Sequence, residues 1–239
     1  MGKAEIVKVK SEAEVIENLA KLVEKHANAA ISSKSTFHIG LSGGSLVKYL
    51  CTGLPQIQTD WSKWKLSFCD ERYVPVDSED STFGLYRQSL IPATPLTDEQ
   101  FLQIDLSLPL KECAADYEKK IRELFPEHPQ KTPSFDLLLL GMGPDGHTCS
   151  LFPGHKLLNE TSSLVAPIDD SPKPPPERVT MTYALVNEAQ CCIFAMAGSG
   201  KAEMVNRILK DREDLPAGRV QPANGELIWV IDEAASALL

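Results

Sequence analysis

The sequence predicts an α/β fold: a mostly parallel sheet with helices on both of its faces. Short apolar runs alternate with stretches of helical period, the pattern of repeated strand–helix units. Phe135-Asp136-Leu137-Leu138-Leu139-Leu140-Gly141 holds four consecutive leucines. Neither face of that strand is polar, as a central parallel strand covered on both sides requires. Glycine-rich polar segments follow several of the apolar runs. In sheets of this kind ligands bind beyond the carboxyl ends of the strands.

Residues 5–10 alternate apolar and polar side chains, which predicts an edge strand. Ser11-Glu12-Ala13-Glu14 reads as a capping box, with Ser11 accepting the Glu14 amide and Glu14 returning to the Ser11 amide. A helix follows to about Ser32, with Val15, Leu19, Leu22 and Val23 on one face. A strand is expected at 36–42, broken by Gly43-Gly44 into a helix near 46–51. Next come a strand at 65–69, the cluster Asp70-Glu71-Arg72, a helix at 82–90, a strand at 101–104 and a helix at 111–125. After the leucine strand, strands are expected at 164–168, 179–183, 191–197 and 227–231. A helix at 200–209 and a short closing helix at 233–239 complete the reading. No repeat, low-complexity tract or composition break divides the 239 residues, so residues 1–239 are expected to form one domain.

Hydrophobic residues make up 43% and charged residues 24% of the chain, an ordinary globular composition. Acidic residues outnumber basic ones, 33 to 24, for a net charge of −9. The average field then repels nucleic acid and anionic lipid, so neither is an expected partner. An anionic small molecule needs a local concentration of cations. Nowhere do about eighteen apolar residues run together, as a membrane-spanning helix needs. The opening Met1-Gly2-Lys3-Ala4-Glu5 carries no apolar signal region. The six cysteines form no C-x-x-C pair and read as reduced, buried thiols. A cytoplasmic, monomeric protein is expected, and the sequon Asn159-Glu160-Thr161 reads as a chance match.

Three strand-end segments carry chemistry. Ser42-Gly43-Gly44-Ser45 is a tight strand–helix turn whose glycines let backbone amides approach an anion. It lacks the G-x-G-x-x-G of a dinucleotide site. Gly40-Leu41-Ser42-Gly43-Gly44 matches G-x-S-x-G, the nucleophile elbow of serine hydrolases. That fold needs a late histidine, and the last one here is His155. Asp70-Glu71-Arg72 is either a surface ion pair or a phosphate-recognising arginine beside carboxylates. Gly141-Met142-Gly143-Pro144-Asp145-Gly146-His147-Thr148 puts an Asp and a His two residues apart in a glycine-rich loop after the most apolar strand. An imidazole there can accept and return a proton near neutral pH. Asp145 can orient it or bind substrate.

Two later cations are candidates for the same edge. Lys173-Pro174-Pro175-Pro176-Glu177-Arg178 is a stiff approach that positions Arg178, in preference to an SH3 ligand at Pro172-x-x-Pro175. Gly198-Ser199-Gly200-Lys201 opens a helix but is no Walker A loop, because Ala195 and Ala202 replace the required Gly and Ser/Thr. Lys201 is a surface lysine or a phosphate ligand. His26, His38 and His128 show no metal-ligand spacing and read as structural or exposed, and His155 is unassigned. No metal site is expected.

Ser42-Gly43-Gly44-Ser45, Phe68-Cys69-Asp70-Glu71-Arg72, the run GMGPDGHTCSLFP from Gly141 and Arg178-Val179-Thr180 together resemble the 6-phosphogluconolactonases, close to the animal cytosolic form. The resemblance extends from Phe37 to Trp229. It implies a three-layer α/β/α sandwich, modified Rossmann-like, shared with glucosamine-6-phosphate deaminases. It implies hydrolysis of 6-phospho-D-glucono-1,5-lactone with no metal or organic cofactor. His147 is then the base, with Asp145 and Asp70 as catalytic partners. Gly43, Gly44, Ser45, Arg72, Arg178 and Lys201 are the substrate-binding candidates. A deaminase or isomerase on the same fold is the rival, and a non-catalytic sugar-phosphate sensor the third class. As a family, the deaminases continue after the His with Asn-Glu-Pro, whereas this chain reads Thr148-Cys149-Ser150.

Overall fold

The computed structural model describes residues 4–126 and 131–239; the sequence expectation for His128 lies outside them. In chain order the elements are β1 (Glu5–Val9), α1 (Glu12–Lys34), β2 (Phe37–Leu41), α2 (Ser45–Gly53), β3 (Trp64–Phe68), β4 (Asp70–Arg72), α3 (Thr82–Ser89) and α4 (Leu110–Glu123). They continue as β5 (Leu137–Leu140), β6 (Val165–Ile168), β7 (Arg178–Met181), α5 (Tyr183–Val186), β8 (Cys191–Met196), α6 (Ala202–Leu209) and β9 (Glu226–Asp232).

Six strands form one sheet in the order β1-β9-β8-β5-β2-β3, with every pair parallel. The leucine strand β5 lies inside it and divides its side chains between two cores. Leu137 and Leu139 join Val15, Leu19 and Val23 of α1, Leu46 and Leu50 of α2 and Phe83 of α3. Leu138 and Leu140 join Tyr117 and Ile121 of α4 and Val205 and Ile208 of α6. Period-two alternation thus feeds helical layers on both faces. Each fully buried side chain of this size stabilises the fold by about 1.5–3 kcal/mol.

The helix ends follow the expected chemistry, with one change. Ser11 caps α1 by accepting the Glu14 amide at 3.3 Å. The Glu14 carboxylate, however, accepts from the Lys10 amide at 2.9 Å rather than from Ser11. At the other end Ser35 takes a left-handed conformation, φ 61°, and its amide bonds to the Ile31 carbonyl. That αL turn ends the helix before β2.

Two expectations fail, and two further elements are strands as expected but in a separate sheet. The strand at 101–104 is a single bridge, Leu66 to Phe101. The closing residues 233–238 form turns rather than a helix. The strands near 164–168 and 179–183 do not join the parallel sheet. β7 pairs antiparallel with both β4 and β6 in a second sheet of order β4-β7-β6. Val165, Ala166, Ile168, Val179 and Met181 of that sheet belong to the same core as α4. Apolar periodicity marks these runs as strands but carries no information on their partners.

Cys69 stitches the two sheets together. Its amide donates to Leu41 of β2, and its carbonyl accepts from Met181 of β7, both at 2.8 Å. The chain therefore leaves the large sheet at Phe68 and enters the small one at Asp70. Strand order reverses between β2 and β5: β2 leads outward to β3, and β5 leads the other way to β8. The loops after β2 and β5 diverge there and open a crevice, as expected of a topological switch point.

Candidate active site

The crevice is a cavity of about 210 Å³. Its lining includes Gly43, Gly44 and Ser45 after β2, Asp70 and Arg72 on β4, His147 after β5, Arg178 on β7 and Lys201 after β8. Five of the strands thus converge on one volume. A larger groove of about 800 Å³ runs between α4 and β6, but it holds no histidine, and Lys119, Arg122, Glu118 and Glu160 line it. Size alone does not locate the chemistry.

The loop after β5 is shaped around His147. Gly143 donates its amide to the His147 carbonyl at 2.9 Å, and the Gly146 amide returns to the Gly143 carbonyl at 3.0 Å. Gly146 has φ 81°, a conformation that favours glycine. A Cβ on Gly143 would collide with Cε1 and Nδ1 of the imidazole. The ring packs on Phe152, centroids 4.7 Å apart.

His147 Nδ1 lies 2.5 Å from Asp145 Oδ1. Lys173 Nζ donates to the same oxygen at 3.0 Å and stands 3.2 Å from Nδ1. A carboxylate accepts only, so the proton in the short contact sits on Nδ1. Nε2 is then the basic nitrogen, and it makes no hydrogen bond among the described residues. Burial lowers the imidazole below its ordinary value, and Asp145 pulls it part of the way back. Burial alone would raise Asp145, but the hydrogen bonds from His147 and Lys173 outweigh it and hold the carboxyl at about 2. At pH 7 the pair is therefore a neutral imidazole oriented by an ionised carboxylate. Lys173 was not among the residues singled out from sequence. Its place beside Asp145 comes from the 171–178 loop, which folds back on itself through Ser171 Oγ to the Lys173 carbonyl, 2.9 Å.

The other predicted residues divide into free and committed groups. Arg72 Nη1 donates to the Asp80 carbonyl at 3.1 Å, and Nε and Nη2 have no partner among the described residues. Lys201 Nζ spends one proton on the Met142 carbonyl at 2.6 Å. Burial lowers the Lys201 ammonium, helped by the charge of Lys173. Gly44, φ 66°, precedes the first turn of α2, and Gly43, Gly44 and Ser45 lie at the cavity edge. Arg178 is 3% exposed, and its guanidinium is largely used. Nε donates to the Pro175 carbonyl and Nη2 to those of Lys173 and Pro174, each at 3.0 Å. Only Nη1 remains, 3.5 Å from Ser150 Oγ and 4.0 Å from Asp70. Asp70 itself accepts from Ser150 Oγ at 2.7 Å.

Glu71 is not a surface ion-pair partner. It is 4% exposed and accepts the amides of Thr82 and Phe83 at 2.8 Å, which caps α3. Ser42 Oγ is buried with no hydrogen-bond partner among the described residues, so none of them stands ready to deprotonate it. The serine-hydrolase elbow fails on that geometry.

Residues 10–229 match the family model for glucosamine-6-phosphate isomerases/6-phosphogluconolactonase. The chain belongs to that family. A rat relative named 6-phosphogluconolactonase is 50% identical, over 93% of this chain and 88% of its own. A fruit-fly relative, named probable 6-phosphogluconolactonase, is 43% identical over 98% and 95%. The solved structure of the Trypanosoma brucei 6-phosphogluconolactonase superposes with a TM-score of 0.86 at 26% identity, covering all of both chains. The family's α/β architecture is thus present in this chain.

Proposed function

We propose that this chain is a 6-phosphogluconolactonase, which opens 6-phospho-D-glucono-1,5-lactone with water to give 6-phosphogluconate. The observation that carries this is the His147–Asp145 pair, 2.5 Å apart, at the floor of a cleft with free cations. Relatives at up to 50% identity bearing that name support it. A lactone is an activated ester, so one positioned base and some charge stabilisation suffice.

In this mechanism His147 Nε2 takes a proton from water as the oxygen attacks C1. The carbonyl electron pair moves onto its oxygen. When it returns, the C1–ring oxygen bond breaks, and the imidazolium gives its proton to the ring oxygen. Asp145 stabilises the imidazolium and keeps Nδ1 protonated. Base catalysis of this kind contributes about 10²–10⁴-fold. Arg72, Lys201 and the amides of Gly44 and Ser45 hold the phosphate. Arg178 serves mainly as a positioning residue: it ties down the carbonyls of 173–175 and so carries Lys173 to Asp145. Asp70 sits beside it as a hydroxyl acceptor for Ser150 or for the sugar. No acidic residue follows His147 as in the deaminases, so amine release is disfavoured.

We take residues 1–239 as one domain, since the small sheet shares a core with α4 and α6. A cytoplasmic monomer fits six free cysteines and a cleft lined by this one chain. No helix among the described residues is long and apolar enough to cross a membrane.

Proton release from freshly made lactone tests the reaction, since the product acid ionises. With spontaneous hydrolysis subtracted, fast wild-type turnover and a loss of at least about 10²-fold in His147→Ala are expected. No turnover above background in the wild type overturns the assignment.

A further inference from the structure

A second set of chemistry-bearing side chains lies at the opposite end of the sheet from the cleft. His26 on α1, Cys191 at the start of β8 and Glu226 at the start of β9 each offer one ligand atom, all within 4.8 Å of one another. Cys191 and Glu226 are partners in the parallel register, so both side chains leave the same face of the sheet. That face is the one α1 covers: Cys191 belongs to the core that holds Val15, Leu19 and Val23.

Of the three, the His26 imidazole is the one the packing leaves unexplained. His26 Nε2 is buried with no hydrogen-bond partner. A buried polar nitrogen in that state costs about 1–3 kcal/mol. The Glu226 carboxylate enters no ion pair or hydrogen bond among the described residues. The Cys191 thiol is free and fully buried. The Cys–Glu register and the imidazole with an unpartnered nitrogen are independent observations at one place in the fold.

We propose that His26, Cys191 and Glu226 form a binding site for one zinc-class divalent cation, with water as the fourth ligand. The mixed N, S and O donor set suits zinc and excludes magnesium and calcium, which take oxygen ligands. The ligand nitrogen of His26 must be unprotonated to bind, and the Cys191 thiol proton leaves to solvent as the metal–sulfur bond forms. Tetrahedral zinc sets its ligand atoms roughly 3.5 Å apart, so the trio draws in by about 1 Å. Glu226 is exposed at a strand end and has the freedom to make that move. The ion would clamp α1 to β8 and β9 about 17 Å along the strand from the cleft.

In the sequence His26 reads as structural or exposed, because no two histidines have ligand spacing. The ligands instead come from three elements that only folding brings together.

Cadmium titration of the intact chain tests the site through the thiolate-to-metal charge-transfer absorption. One equivalent is expected to bind, and zinc to displace it. His26→Gln and Glu226→Gln are each expected to weaken binding at least tenfold, and Cys191→Ser to remove the band. Cys51→Ser, at a half-buried thiol on α2, should leave the titration unchanged. At the same zinc concentration the wild-type Tm should rise more than that of His26→Gln. Since Cys191 lies in the core, the two milder variants decide the matter if Cys191→Ser fails to fold. Binding in His26→Gln and Glu226→Gln equal to wild type, or no saturable binding at all, overturns the proposal.

Discussion

The imidazole of His147 lies directly against the α-carbon of Gly143, with no room for a side chain between them. The Gly143 amide also holds the His147 carbonyl at 2.9 Å. One residue thus fixes the position of His147 from two sides. Gly143→Ala should displace the ring and reduce kcat by roughly 10²-fold. Tm should fall by only a few degrees, because the loop borders a cavity rather than the core. Activity near wild type would show that the ring needs no such support.

The Asp145 carboxylate raises the His147 pKa against the effect of burial. Removing its charge should move the acid limb of kcat/KM to lower pH. Asp145→Asn is therefore expected to lose activity at pH 7 and to shift that limb downward. A limb that stays in place would mean that His147 is not the titrating base.

Lys173 acts with the opposite sign. Its ammonium stands 3.2 Å from His147 Nδ1, and its charge lowers the imidazole further. In Lys173→Met the acid limb should move up, with a smaller loss of kcat than in Asp145→Asn. The two variants form a pair whose shifts must differ in direction.

Arg72 and Lys201 retain unpaired donors at the cleft. Arg72→Ala and Lys201→Ala should each raise KM at least about tenfold, since a charge-assisted hydrogen bond contributes about 1.5–3 kcal/mol. Ser42→Ala should keep most of the activity, because Ser42 Oγ has no partner among the described residues to activate it. Unchanged KM in both cation variants would move the phosphate elsewhere in the cleft.

His38 lies at 5% exposure against Phe125, with ring centroids 4.4 Å apart. Burial, aided by Lys34 and Lys65, lowers its pKa to about 4. The unfolded chain keeps a value near 6.5, so it binds more protons between those limits. Stability from this group is complete above about pH 6.5 and is lost as pH falls toward 4, by roughly 3 kcal/mol. Urea unfolding at a series of pH values should show that slope in the wild type and a shallower one in His38→Asn.

Much of this protein was legible in its sequence. The leucine run at 137–140 identified the central strand because it is apolar at every position, and nothing but burial on both faces permits that. Ser11 announced the start of α1, although Glu14 turned to Lys10 instead. The Asp145–His147 pair stood out because a glycine-rich loop after such a strand has little packing to do.

Other features depended on contacts far apart in the chain. Residues 164–168 and 179–183 read as strands, but pairing rests on backbone hydrogen bonds that any residue can make. Lys173 lies 28 residues from Asp145, and nothing local marks it. Arg178 looked free to meet a phosphate, yet three carbonyls of its own loop claim it.

The sequence by itself therefore determined the layered α/β class, the order of most elements and the residue types at the strand ends. These follow from periodicity and local backbone preference, which act over a few residues. The tertiary structure decided that the chain splits into two sheets at Cys69, that His147 Nε2 is the basic nitrogen, and which cations stay free. Those outcomes depend on distance and burial, which exist only once remote segments have packed together.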